Sequence, residues 1–227
     1  MKGKIMSFYE QLQHQTAAER QALLASPVIA RCRDGDISQE MYIEFLTQAY
    51  HHVSHTVPLL MCAGSRLPTS QESVRGAIAE YIEEEYGHQE WILNDIRACG
   101  GDAEKVRSGT PCLPIEMMVA FLYYRIEWVN PMSLFGMVLV LEGTSVSIAS
   151  SIAAQVEHTL GLPKAATTYL RSHGELDQGH LQFFARLMDT VTDEGDQAAI
   201  IHTARRVYQL YGQMLNQLGS NTRGSDE

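Results

Sequence analysis

Residues 173–180 of the chain read HGELDQGH and place His173, Asp177 and His180 at spacings of four and three residues. On an α-helix, which turns by about 100° per residue, these three side chains lie within roughly 60° of arc along one face. Imidazole nitrogens and a carboxylate on one stripe can bind a metal ion, and the same stripe can also be a solvated polar face. The segment alone therefore predicts at most half of a metal site.

A second group of candidate ligands lies in the segment EYIEEEYGHQEW, where Glu85 and His88 form an E-x-x-H pair. A Glu and a His three residues apart on one helix are the arrangement by which helical bundles hold non-haem iron or manganese. Acidic, solvated helix faces produce the same pattern by chance, so the motif has weight only together with other ligands. Glu84 is also within one turn of His88 and remains an alternative to Glu85.

Glu142 is the single charged residue between Glu127 and Glu157, and it directly follows the apolar run MVLVL. Burying an unpaired carboxylate is so costly that such groups shift their pKa, pair with a partner or bind a metal ion. Glu142 is therefore either a structural carboxylate satisfied within the core or a metal ligand.

The combination of these groups is more specific than any one of them. Mixed carboxylate and imidazole ligation suits iron or manganese better than zinc, whose structural sites prefer thiolates and close at four ligands. Six ligands suffice for two metal ions with positions left open for dioxygen. The candidate ligands on three helices are Glu85, His88, Glu142, His173, Asp177 and His180.

Helical periodicity runs through nearly the whole chain and strand alternation is almost absent, which predicts an all-α protein. Without an internal repeat or a long linker, we expect one domain over 1–218 and a disordered tail at 219–227. Thr69 and Glu72 stand at the spacing of a capping box, and Pro58 is expected to kink its helix rather than end it. The expected helices cover 38–67, 70–99, 115–128, 131–160, 164–191 with a break near His173, and 194–218.

Composition limits the partners. The 227 residues carry a formal net charge of −10, which argues against nucleic acid or an anionic membrane as a partner and favours a small-molecule substrate. The four cysteines are widely spaced and the N-terminus lacks a signal-peptide core, which predicts a cytoplasmic protein. The segment 128–156 is long enough to span a membrane, but Pro131, Gly136 and Glu142 indicate a buried core helix instead.

These motifs resemble those of the haem-oxygenase-like superfamily, which includes thiaminase II (TenA) and the pyrroloquinoline quinone synthase PqqC. Within it, the haem-oxygenase-like dimetal oxidases are similar in showing a Glu before a His, a Glu in the middle of a later helix, and H-x-x-x-D-x-x-H on a third. The resemblance spans nearly the whole chain and implies a haem-oxygenase-like helical bundle. It implies an iron-containing oxidase or oxygenase with two Fe ions, or Mn, and no haem, which uses dioxygen to oxidise a small organic substrate.

The alternative is a metal-free TenA-like enzyme or small-molecule binding protein, and a partner-binding helical protein is a third hypothesis. Thiaminase II enzymes look like QDY where this chain has Gln48, Ala49 and Tyr50, and Ala49 cannot hold a pyrimidine as their aspartate does. In the oxidase hypothesis Glu142 and Tyr50 are the catalytic residues, and the substrate enters an apolar space near Tyr50 and Met137.

Two further features carry expectations. His51 and His55, in YHHVSHTVP, lie one turn apart and either face the substrate pocket or are ordinary packed or surface histidines. The segments AFLYYRIEWV and YQLYGQML contain more aromatic surface than one cavity needs, so we expect a homodimer.

Overall fold

A computed structural model describes residues 6–219, apart from the side chains of 175–178. The described residues form α-helices and short helical turns without a β-strand, which confirms the all-α prediction. The tail that was predicted to be disordered, 219–227, lies outside the described residues except for Gly219. The α-helices are α1 Phe8–Gln15, α2 Ala17–Leu24, α3 Pro27–Arg33, α4 Gln39–Val53, α5 Thr56–Arg66, α6 Glu72–Glu85, α7 His88–Ala98, α8 Ala103–Arg107, α9 Leu113–Tyr124, α10 Leu134–Leu160, α11 Thr168–Met188 and α12 Glu194–Gln217.

The central element is α10, which packs along α11 and α12. Its first half is almost entirely buried because the run from Leu134 to Val140 is apolar on all sides. A Cβ at Gly136 would lie 2.6 Å from the Ile200 carbonyl oxygen, so this glycine lets α10 and α12 approach closely. The stretch Pro131–Leu160 has the length and hydropathy of a membrane span, and 61% of its most apolar window is buried inside the protein.

The predicted helix over 70–99 is two helices. α6 ends at Glu85 and α7 begins at His88, and Gly87 between them has φ 94°, a left-handed conformation that favours glycine. The capping box expected at its start is also wrong, because Thr69 lies in the short turn Thr69–Gln71 and no described side chain caps α6. The segment therefore turns at the point where its candidate ligands lie.

The predicted helix over 38–67 is also interrupted, between α4 and α5 at Ser54 and His55. Pro58 is the third residue of α5, and its ring would clash with the carbonyl of Ser54 in a continuous helix. The break therefore falls one turn before the proline. By contrast, α11 continues through His173, where a break was expected.

The two aromatic segments expected at a dimer interface differ in exposure. The segment YQLYGQML lies on α12 and turns its Tyr208, Tyr211, Met214 and Leu215 into the core. In AFLYYRIEWV, by contrast, Tyr124 and Trp128 are exposed. Only the second segment therefore remains as a candidate contact surface.

Candidate metal centre

Two triads of potential ligands meet inside the helical bundle. The ligand atoms of Glu85, His88 and His173 lie within 4.8 Å of one another, and those of Glu85, Glu142 and His180 do so as well. Glu85 belongs to both triads. Five of the six predicted ligands, from α6, α7, α10 and α11, therefore lie together in one cluster.

The turn between α6 and α7 positions the first two ligands. Glu85 is the last residue of α6 and His88 the first of α7, and both are buried. Glu85 Oε2 lies 3.2 Å from His88 Nδ1, although the two groups are not aligned as a hydrogen bond. The E-x-x-H pair thus meets across a turn and not along one continuous helix.

Glu142 and His180 bring α10 and α11 into the cluster. His180 Nδ1 lies 3.7 Å from Glu142 Oε1, and Glu142 is only 7% exposed. On its other side His180 Nε2 lies 3.0 Å from Glu84 Oε2, whose side chain is half exposed. This arrangement favours Glu85 as the ligand and Glu84 as the outer partner that orients the His180 ring. The side chain of the sixth predicted ligand, Asp177, lies outside the described residues.

The charge state of Glu85 suits metal binding. Burial raises the pKa of this carboxyl, but the nearby His88 and His173 rings lower it by more, so that the pKa lies below its ordinary value. Metal ligands must be deprotonated to bind. Glu85 therefore needs no further change of protonation at neutral pH.

His52 lies beside the clustered ligands, although no motif or spacing in the sequence singles it out. It is 4% exposed and lines a cavity of about 50 Å³ together with Glu85, Glu142 and His173. Neither of its ring nitrogens has a hydrogen-bond partner among the described residues. Burial, aided by the neighbouring His173, lowers the pKa of His52 to about 3. A neutral imidazole therefore faces this cavity, which we call the metal-side cavity because it adjoins the candidate ligands.

The predicted pair His51 and His55 lies elsewhere. α4 ends at Val53, so the two residues do not share one helix, and His55 Nδ1 lies 3.1 Å from the Tyr123 hydroxyl. His51 is buried against the Tyr50 ring, with ring centroids 5.5 Å apart. Neither is among the described residues that line the cavities on the two sides of His173, which favours the alternative that they are ordinary packed or surface histidines.

Met137 lines the metal-side cavity, as expected, but Tyr50 does not. Tyr50 packs in a separate apolar cluster with Tyr42 and Leu46. The expectation that substrate enters beside Tyr50 is therefore not supported by the described residues, and a catalytic role for this tyrosine stays a prediction.

A larger cavity of about 100 Å³ adjoins the cluster on the other side of His173. It lies between α3, α4, α10, α11 and α12, and it shares Leu141, Ser145, Tyr169 and His173 with the metal-side cavity. The two cavities together extend from the candidate ligands into the apolar interior.

Clustered, buried Glu and His side chains in a helical bundle are an arrangement by which such proteins hold metal ions. Residues 43–212 match the model of a family described as iron-containing redox enzymes, and the chain belongs to that family. No curated protein matches the chain.

Solved structures with the same fold include three of different description. A domain of unknown function with a heme oxygenase-like fold from Shewanella denitrificans OS217 is similar at a TM-score of 0.84 and 20% identity, covering 97% of this chain and 95% of that one. A TenA homolog from Pseudomonas syringae pv. tomato str. DC3000 has a TM-score of 0.79 and 12% identity, covering 96% of this chain and 95% of that one. The heme oxygenase from Leptospira interrogans has a TM-score of 0.75 and 18% identity, covering 94% of this chain and 100% of that one. These similarities establish the haem-oxygenase-like fold.

Proposed function

We propose that this iron-containing redox enzyme is a non-haem dimetal oxidase or oxygenase that uses dioxygen to oxidise a small organic substrate. The observation that carries the proposal is the position of Glu85, which belongs to both ligand triads. A carboxylate has two oxygens and can therefore bridge two metal ions, so a Glu shared by two triads favours one ion in each triad. Either triad taken alone would need only one ion.

The donor set fits two iron ions, with manganese as the alternative metal. Glu85 and Glu142 supply negative charge to balance divalent cations, and three imidazoles complete the two triads as neutral donors. Asp177 is proposed as the sixth ligand, because it lies on α11 between His173 and His180. Bound iron would supply the dioxygen chemistry, while the protein holds the ligands in a cavity that excludes bulk water.

The test is metal binding by protein purified without metal. Anaerobic loading with Fe(II), removal of excess metal and elemental analysis should give about two irons per chain, in accordance with a carboxylate-rich dimetal site. Exposure of the loaded protein to air should then change its visible absorption. Iron below about half an equivalent with no spectral change would contradict the proposal and favour the metal-free TenA-like alternative.

Glu85→Gln is the most informative variant for this test because it removes the charge of the shared ligand while keeping its shape. Glu90→Gln is a matched control on the nearby surface of α7, where Glu90 binds Arg107 and not the cluster. The proposal predicts that Glu85→Gln loses both irons and that Glu90→Gln retains them.

We also propose that the protein is a homodimer that uses the exposed apolar surface of α9 and the turn after it. Tyr124, Trp128 and Val129 are exposed there together with Leu113 and Met117. Surfaces of this kind commonly mark contacts between subunits. Light scattering at micromolar concentration should give twice the chain mass of 25.4 kDa, and a species of the single-chain mass alone would contradict the proposal.

A further inference from the structure

The larger cavity beside His173 has a distinctive chemical lining. Most of its walls are aliphatic or aromatic, among them Val28, Phe45 and Ile148. No Asp, Glu, Lys or Arg lies among the described residues that line it. A charged group placed there would lose its water without gaining a partner of opposite charge.

Two of the five hydroxyl groups in the described lining donate to backbone carbonyls. Thr144 donates to the Val140 carbonyl at 2.6 Å, and the Tyr42 hydroxyl donates to the Ala166 carbonyl at 2.9 Å. Both bonds turn the hydroxyl hydrogens away from a ligand. The cavity therefore offers mainly van der Waals contact to whatever binds in it.

His173 lies between the apolar cavity and the candidate ligands, because it lines both neighbouring cavities. This imidazole lines both cavities, and beyond it are Glu85, Glu142 and His52. A molecule that fills both cavities must therefore place its apolar part among α3, α4 and α12 and its polar part on the metal side.

We propose, on the basis of the proposed oxidase function, that the substrate has an uncharged, apolar body about the size of a benzene ring and a polar reacting end directed past His173. The cavity volume of about 100 Å³ sets the size of the body. Apolar cavities of about 150 Å³ in other proteins take up benzene, and the two cavities here, of about 100 and 50 Å³, together provide a similar volume. Free amino acids with charged side chains do not fit this body site, because it offers no counter-charge.

Toluene and benzoate are suitable probes because they have similar shapes and differ in charge. Binding is measured on metal-free protein by the shift in thermal unfolding and by chemical shift changes of cavity methyl groups. Toluene should bind saturably and raise the unfolding temperature. Benzoate should bind at least about tenfold more weakly, because its carboxylate has no partner in the apolar cavity and is repelled by Glu85 and Glu142 on the metal side. Equal binding of benzoate, or no binding of toluene, would overturn the proposal.

Variants locate the binding. Ala149→Val adds two methyl groups to the cavity wall, whereas Ala79→Val makes the same change on the exposed surface of α6. We expect Ala149→Val to weaken toluene binding by about tenfold, since one methylene in an apolar pocket changes affinity by this order, and Ala79→Val to leave it unchanged. Ile148→Phe, at a half-buried wall position, provides a second filling variant if Ala149→Val does not fold. Toluene binding that survives both filling variants would overturn the assignment.

The results for iron and for toluene separate the two proposals. Iron loading without toluene binding refutes the apolar substrate class and leaves the oxidase proposal intact. Toluene binding in a protein that cannot load iron refutes the oxidase proposal, and the pocket then loses its assignment as an oxidase substrate site. Toluene binding together with two irons per chain supports both.

Discussion

His52→Phe should make the metal-free protein markedly less sensitive to acid. His52 is buried and both of its ring nitrogens lack a described hydrogen-bond partner, so protonation in the folded state is strongly disfavoured. Phe keeps the planar ring and the edge-to-face contact with Tyr211, whose ring centroid lies 5.6 Å away. The substitution therefore removes the titration and preserves most of the packing.

The magnitude follows from the pKa of His52, which burial lowers from 6.5 to about 3. As the pH falls below 6.5, the unfolded chain binds a proton at this residue and the folded protein does not, so the folded state loses stability until the pH approaches 3. Each pKa unit corresponds to about 1.4 kcal/mol, which gives a loss of about 2 kcal/mol between pH 7.5 and pH 5. In His52→Phe this contribution is absent.

The assay is urea unfolding of metal-free wild type and His52→Phe at pH 7.5, 6 and 5, with His14→Phe on the exposed surface of α1 as the control for the substitution itself. The difference in unfolding free energy between His52→Phe and wild type should shift by about 2 kcal/mol in favour of the variant between pH 7.5 and pH 5. Because other titrations are common to both proteins, they cancel in this difference. Parallel pH profiles would show that His52 is not a buried, neutral imidazole.

Three further substitutions test the cluster and its support. Metal-free Glu142→Gln should unfold at the same or a higher temperature than wild type, because it removes one charge from a cavity that also holds Glu85. A loss of about 3 to 5 kcal/mol in the free energy of unfolding would identify a structural ion pair instead. Glu84→Gln should weaken Fe(II) binding by about 10- to 100-fold, as expected for a residue that orients His180, whereas Glu85→Gln should abolish Fe(II) binding. Equal effects of the two variants in a competition assay for Fe(II) would contradict these roles. Asp95 is fully buried, accepts a hydrogen bond from the Tyr169 backbone at 2.8 Å, and has a pKa raised by burial from 3.8 to about 6. Wild type therefore gains stability from Asp95 as the pH falls through 6 towards 3.8, and Asp95→Asn should lack this gain in urea unfolding. The same pH profile in the variant and in wild type would contradict a raised pKa of Asp95.

The residues that cluster inside the bundle could be predicted from the sequence because their signals are local. His173 and His180 lie on one helical stripe, and Glu142 is isolated in an apolar run, so periodicity and burial indicate both without tertiary information. The all-α fold follows from the same periodicity. Glu85 and His88 were also found, although the continuous helix assumed between them is broken at Gly87.

The parts that were missed depend on how helices end and pack. The break at Ser54 and His55 rotates α5 relative to α4, so the i, i+4 rule that paired His51 with His55 does not apply. Which face of α4 turns to the cluster is then decided by its neighbours, and that face carries His52. Sequence periodicity fixes the spacing of side chains along one helix but not the rotation of that helix within a bundle.

The most direct test of the shared carboxylate is a crystal structure of the protein loaded anaerobically with Fe(II), with anomalous data collected at the iron edge. We expect two iron positions about 3.5 to 4 Å apart, as in other two-metal sites, with Glu85 contacting both. His88 and His173 should bind one iron, and Glu142 and His180 the other. A single iron position, or two irons with Glu85 bound to only one of them, would contradict the claim that this residue joins the two triads.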